Sequence, residues 1–359
     1  MTYDVAVVGS GPAGASAVRE LSRRGLSVAC IERLHDEGFG RYHRICGEAV
    51  SDRTFRKLGW RPSGCVRRVD TIRIAFSDGI SVDIPVGGMV VDRPSMLSEL
   101  MDGCDADLVR GSVRSVGKDD DGYTLELTDG RRISCRGLIG ADGAHSAVRR
   151  DVFGTGPTRR LQVFNCIAEG EEDVLSFTVG GYGDGFYGWR FPSGPGKVSI
   201  GFPRGHTDPS EVEGILDWGA RDLPFGVQER VVDGRCAIVG DAACLANPLC
   251  FGGIGAALLS GREAARAIAD GRLERYQRWV SRNPMFSPHF MGAHDTFASW
   301  GPEEIADAME PFRKGYSLAR GAYAMMRRPR WAEVYMSVYI AFNLGWRCHI
   351  LIRLRSSVQ

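Results

Sequence analysis

The stretch from Asp4 to Glu32 constrains this chain more than any other. An apolar run from Val5 to Val8 enters a Gly9-x-Gly11-x-x-Gly14 turn. A small-residue helix, 15–21, follows, and then a second apolar run, 28–31, closed by Glu32. Strand, glycine loop, helix, strand and terminal acid are the opening of a doubly wound α/β sheet that binds a dinucleotide. Gly9 permits the tight turn, Gly11 lets a pyrophosphate approach the backbone, and Gly14 lets helix and strand pack closely. The free N–H groups and dipole at the helix start favour an anionic diphosphate. Glu32 suits a ribose hydroxyl pair, and Pro12, Ala13 and Arg33 join it as candidate cofactor contacts.

At 359 residues the chain is long enough for two domains. Its 45 Lys and Arg nearly cancel its 44 Asp and Glu, so no global field points to nucleic acid. Ten cysteines occur with no Cys-x-x-Cys pair, which argues against zinc, iron–sulfur clusters or any metal centre. A first core strand opening at Asp4 leaves no room for a signal peptide, so a reducing, cytoplasmic setting is expected. The longest uncharged run, 334–346, is 13 residues and too short to span a bilayer. It reads as a core helix, while its aromatics and the basic tail Arg347, Arg353 and Arg355 leave peripheral membrane contact open.

Along the chain, 36–44 reads as a polar loop and 51–58 as a short helix. Alternation over 66–86 around Ser77-Asp78-Gly79 predicts a hairpin. A helix is expected over 95–101, and a second hairpin from 109–116 and Tyr123–Leu127. Strands follow at 133–139, within 161–202 and at 236–239, then a long helix over 254–269 and a helical, aromatic C-terminal region. The expected fold is α/β: a Rossmann-type domain from 1–58, 87–158 and 230–271, an interleaved antiparallel β substrate domain from 59–86 and 159–229, and a short helical C-terminal region, 272–359.

Two later strings share one form, an apolar strand, then a glycine and an aspartate, then small residues and a helix. They run from Leu138 through Gly140-Ala141-Asp142-Gly143, and from Ile238 through Gly240-Asp241 to Gly252-Gly253-Ile254. An Asp at such a strand end is placed to accept hydrogen bonds from a sugar alcohol. Two of them beside the first glycine turn make FAD the natural ligand. Asp241 would meet its ribityl chain, and the helix start at Gly252, Gly253 and Ile254 its pyrimidine edge.

With these residues the chain resembles the FAD-dependent geranylgeranyl reductase family, within the p-hydroxybenzoate-hydroxylase-like flavoproteins. Arg44-Ile45-Cys46-Gly47-Glu48-Ala49 is similar to the family's Cys-Gly segment. Phe186-Tyr187-Gly188-Trp189-Arg190-Phe191-Pro192 is similar to its Tyr-x-Trp-x-Phe-Pro motif, and Val91-Asp92-Arg93 to the superfamily's Arg-bearing segment. The resemblance implies that Cys46, Gly47 and Arg93 lie beside the flavin. It also implies that Tyr187, Trp189, Phe191 and Phe251 line a prenyl cavity, with Cys46, Tyr187 and Trp189 nearest the chemistry. The sequence departs from the family at Ser193, where a lysine is usual, at Phe251, where Gly-Gly-Gly-Ile is usual, and in a shorter C-terminal portion.

The implied activity is saturation of C=C bonds in a polyprenyl lipid or isoprenoid diphosphate, a hydride reaching one carbon and a proton the other. NADPH, a ferredoxin or a deazaflavin would supply electrons, because FAD takes the only clear glycine fingerprint. The alternative is an FAD-dependent monooxygenase hydroxylating an aromatic or polyketide substrate, which would share every FAD signature. His145 is expected to make a loop contact, His43 stands close enough to Cys46 in sequence to assist it, and the arginines in 326–330 read as a solvated helix end.

Overall fold

The computed structural model describes residues 2–346 except 77–78, 80 and 183–184. Arg347, Arg353 and Arg355 lie outside the described residues, as does most of the turn expected at 77–79. Residues Val5–Val8 are buried, and their strand, Thr2–Val8, pairs in parallel with Val28–Glu32 on one side and Arg132–Gly140 on the other. The first sheet runs Val232–Asp233, Cys236–Ile238, Arg132–Gly140, Thr2–Val8, Val28–Glu32, Asp107–Arg110. Its central strands are continuous apolar runs because helices cover both faces. The helix Pro12–Ser22 crosses Ile254–Ala269 so closely that a Cβ on Gly261 would lie 2.0 Å from the Ala13 carbonyl oxygen. The long C-terminal helix of this layer matches its predicted bounds.

Two expectations are corrected here. Residues 109–116 are not one hairpin strand: Asp107–Arg110 lies parallel to Val28–Glu32, and Val113–Lys118 pairs with Tyr123–Leu127. The break falls at Gly111, whose N–H donates to the Glu32 carbonyl at 3.0 Å. Nor is 36–44 a loop; Asp36–Arg44 is a helix, with Asp36 and Glu37 in its first turn and Arg41, His43 and Arg44 in its last. That charge order complements the helix dipole and outweighs two glycines of poor helix propensity.

The second sheet runs Ile215–Phe225, Arg159–Glu169, Lys197–Pro203, Tyr187–Pro192, Leu175–Val179, Cys65–Phe76, Ser81–Val91, Ala49–Ser51. It is antiparallel except where Leu175–Val179 runs parallel to Cys65–Phe76. Ser81–Val91 carries this sheet past residue 86, and Ala49–Ser51 also belongs to it. Helices His289–Ala298, Pro302–Met309, Leu318–Arg327 and Ala332–Ile340 cover one end of it. The last continues into a π-helical turn, Ala341–Trp346, where the Trp346 ring would lie 2.5 Å from a Cβ on Gly88. The uncharged run 334–346 therefore packs against protein; among the described residues no helix is long and apolar enough to cross a membrane.

Candidate cofactor and substrate site

The glycines of the first turn separate by what demands them. A Cβ on Gly9 (φ +91°) would lie 2.5 Å from the Ala141 carbonyl oxygen, and one on Gly14 only 1.8 Å from that of Gly9. Packing of the protein on itself forces both. Gly11 differs: a Cβ there would meet only His43 Cε1, at 3.4 Å. Gly252 and Gly253 are equally roomy, with nothing nearer than Cys250 Sγ at 3.6 Å and Asp241 Oδ1 at 3.5 Å respectively. Room at these three positions leaves space for a bound group.

Glu32 is buried, and its Oε2 accepts from both the N–H and the hydroxyl of Ser10 at 2.8 Å, while Oε1 accepts from the Leu34 N–H at 2.8 Å. A carboxylate has about four lone-pair sites, so capacity for a sugar hydroxyl remains. Beside it opens a hollow of about 630 Å³ bordered by Ser10, Phe39, Pro94 and Arg110. Arg33 turns onto the ring of Tyr42, its guanidinium carbon 5.5 Å from the centroid.

Asp142 holds the start of helix Ala147–Phe153, accepting from the Val148 N–H at 3.1 Å through Oδ2; its Oδ1 is buried with no partner. Burial raises its carboxyl above the usual range. Asp241 is pushed up to about 6 by burial, against the pull of Arg93 and Arg149. Close by, Ile254–Ala269 begins at Gly253 with no side-chain cap, leaving N–H groups free for an anionic or carbonyl ligand edge. An orphaned acceptor, an uncapped helix start and bare glycines on two turns fit FAD. Gly11, Pro12 and Ala13 would meet its diphosphate, Glu32 its adenosine ribose, and Asp241 with Gly252 to Ile254 its flavin half.

The Cys46-Gly47 loop lies on the second sheet. A Cβ on Gly47 would sit 2.6 Å from Phe191 Cδ2 and 3.3 Å from Trp189 Nε1, and Ser199 Oγ donates to the Cys46 carbonyl at 3.3 Å. Next comes Glu48, buried at φ +53°, where a non-glycine residue is uncommon. Its Oε1 accepts from the Arg93 N–H at 3.1 Å, and burial pushes its carboxyl up to about 8. Arg93 Nε donates to the His43 carbonyl at 2.5 Å. The His43 ring, buried among Arg93, Arg221 and Arg33, is pushed down to about 3. Burial thus favours the neutral forms of both Glu48 and His43, grouped around Arg93. The sequence reading missed Glu48 although it directly follows Cys46-Gly47, and that adjacency was the available signal.

Between the second sheet and the C-terminal helices lies a cavity of about 390 Å³, lined almost wholly by apolar side chains such as Ile72, Ile84, Trp300, Phe312 and Trp346. Its inner end reaches Tyr187, Leu249 and Cys250, where the Tyr187 hydroxyl donates to the Cys250 carbonyl at 2.5 Å. Of the four expected substrate contacts only Tyr187 lines it. Trp189, Phe191 and Phe251 lie to the side: the first two pack on Gly47, and Phe251 adjoins the Gly252 turn. Strand spacing places Tyr187 and Trp189 on one face, but Trp189 packs with Phe191 against Gly47 and only Tyr187 reaches the cavity. Trp189 Nε1 is buried without a partner. His145 pairs with Asp222 at 2.8 Å, and Arg328 with Asp307 at 2.8 Å.

A parallel sheet whose glycine turns are bared toward one groove, faced by a second sheet, is the architecture of a Rossmann-type FAD-binding flavoprotein. The profile of the FAD binding domain family matches residues 2–58. Within that class the chain is similar to the FAD-dependent geranylgeranyl reductases. It is 25% identical over 355 residues to digeranylgeranylglycerophospholipid reductase 2 of Methanopyrus kandleri, covering 85% of this chain and 89% of that protein. It is 29% identical over 306 residues to the geranylgeranyl diphosphate reductase of Rhodobacter capsulatus, covering 74% and 75%. The crystal structure of a geranylgeranyl bacteriochlorophyll reductase-like protein from Thermoplasma acidophilum shares the fold, with a TM-score of 0.76 at 18% identity over 94% of this chain and 98% of that one. The chain is a flavin-dependent oxidoreductase.

Proposed function

We propose that this chain saturates C=C bonds of a polyprenyl group, carried by a glycerophospholipid or an isoprenoid diphosphate. The observation that carries the reading is the 390 Å³ apolar cavity ending at Tyr187 and Cys250, adjacent to the bare Gly252-Gly253 turn. Bound FAD supplies the hydride when reduced. An isolated alkene has no carbonyl to polarise, so the protein contributes position, dryness and a proton. Tyr187, which lines the cavity, presents an aromatic face whose negative quadrupole stabilises developing positive charge. Cys46 and Glu48, whose carboxyl burial pushes up to about 8, are the proposed sources of that proton.

NADPH, a ferredoxin or a deazaflavin is the proposed class of electron donor. A cytoplasmic setting with peripheral membrane contact belongs to the same proposal. The membrane contact is supported by the outward apolar side chains of helix Leu318–Arg327, Met326 at 75% and Tyr323 at 46% exposure. The test is anaerobic incubation of FAD-loaded, dithionite-reduced protein with a geranylgeranyl glycerophospholipid, read by mass spectrometry. The expected product gains two hydrogens per bond reduced. Unchanged lipid overturns the proposal, and oxygen incorporation into an aromatic substrate in air would establish the monooxygenase instead.

A further inference from the structure

Phe251 stands where the chain has least reason to carry a bulky side chain. Its φ is +44°, in the left-handed region that favours glycine. The surroundings hold it there: the Phe251 N–H donates to the Asn247 carbonyl at 2.8 Å, and the buried Asn247 Oδ1 accepts from the Leu249 and Cys250 N–H groups at 3.0 and 3.3 Å. The ring sits among Phe186, Tyr187, Phe225 and His294, at centroid distances of 5.4, 5.8, 5.3 and 6.0 Å. On one side is the inner end of the apolar cavity, formed by Tyr187, Leu249 and Cys250. On the other are Gly252 and Gly253, where added side chains would find open room. A strained, over-determined aromatic residue at the junction of two compartments is the kind of feature a site retains for function.

We propose that Phe251, whose ring backs Tyr187 where Tyr187 closes the inner end of the cavity, is the specificity-determining stop. Its ring limits how far a prenyl chain advances toward the cofactor turn, and so decides which double bonds are presented there. This rests on the prenyl-reductase reading above and deepens it. The residue acts by filling space, so the size of its side chain matters and its polarity does not. Phe251→Gly removes the ring and relieves the backbone together, while Phe251→Leu shortens the ring with the backbone strain retained.

The experiment uses oxidised, FAD-loaded protein without reductant, so that binding is read apart from turnover. Farnesol, geranylgeraniol and geranylfarnesol, which differ by single isoprene units, are titrated against the quench of intrinsic tryptophan fluorescence. The expected result is a shift of preference by one isoprene unit in Phe251→Gly. Its selectivity between geranylfarnesol and geranylgeraniol should change by about tenfold, the scale on which a pocket discriminates small apolar increments. Phe251→Leu should fall between the two, and in dithionite-driven reactions Phe251→Gly should saturate at least one further double bond. The same chain-length preference and the same saturation pattern in all three proteins overturn the stop and leave the reductase reading standing. If none of the proteins binds any of the alcohols, both fall.

Discussion

The first glycine turn and the apolar cavity are built in opposite ways. At the turn, the carbonyl of Gly9 lies where a Cβ on Gly14 would be, at 1.8 Å, so a single methyl group has nowhere to go. The cavity is walled by side chains from strands between residues 65 and 91 and from helices after residue 289, many of them aromatic or methionine. Backbone defines the one and side chains the other. Gly9 and Gly14 therefore tolerate no substitution, whereas the cavity can accept changes and alter its ligand. This is the division expected of an enzyme that shares a cofactor with many relatives and differs from them in substrate.

The severest break in that contrast is Gly14→Ala, which must push the Gly9 carbonyl aside. A stability loss of about 3 kcal/mol or more is expected, with loss of flavin, read by thermal unfolding and visible absorbance. Near-normal FAD content would refute the backbone account. Phe312→Ala in the cavity wall, where Phe312 is buried against Tyr335 with ring centroids 5.8 Å apart, should cost about 3 kcal/mol. Flavin content should hold while prenyl alcohol binding falls; loss of both together would mean that the two regions are not separable.

Gly11→Ala sharpens the comparison, because only His43 Cε1 lies near, at 3.4 Å. FAD affinity should fall about 100-fold, or about 2.7 kcal/mol, with the melting temperature of the flavin-free protein unchanged. Isothermal titration and a melting curve separate the two, and a lowered melting temperature would make Gly11 structural.

The smallest effect is a pH dependence at Glu48, between the two regions. Its carboxyl is near 4.5 when unfolded and about 8 when folded, so its contribution to stability is complete below 4.5 and lost as pH rises to 8. His43 has the opposite sign: ordinary near 6.5 and about 3 when folded, it costs stability only as pH falls below 6.5. The window from 6.5 to 8 therefore separates Glu48 from His43. Relative to wild type, Glu48→Gln should gain up to about 1.4 kcal/mol per pH unit there, measured as urea midpoints. Parallel curves would show that Glu48 titrates normally.

Legibility followed the same line. Strands 5–8, 28–31 and 133–139 and the helix 254–269 could be read directly, because each is coded by a local period or a short motif, whereas 161–202 read only as β-rich. The helix Asp36–Arg44 was hidden by Gly38 and Gly40, and the break at Gly111 by alternation that continues in phase across it. Glu48 has no role of its own in the Cys-Gly string; burial and the Arg93 N–H define its surroundings only in the fold. The cavity left no periodic signature beyond the Tyr-x-Trp-x-Phe-Pro resemblance that implied Tyr187, since an aromatic run at helical spacing reads the same whether it packs on a core or lines a void.

What the chain determines by itself is the nucleotide-binding half, where glycine spacing, flanking apolar runs and a terminal acid lie within a few turns of one another and interact locally. What only the folded molecule decided is which residues face the second compartment. Tyr187 lines the apolar cavity while Trp189 and Phe191, on the same face of one strand, turn to Gly47. That outcome depends on contacts between segments separated by more than a hundred residues, and packing of that kind leaves no periodic trace in sequence.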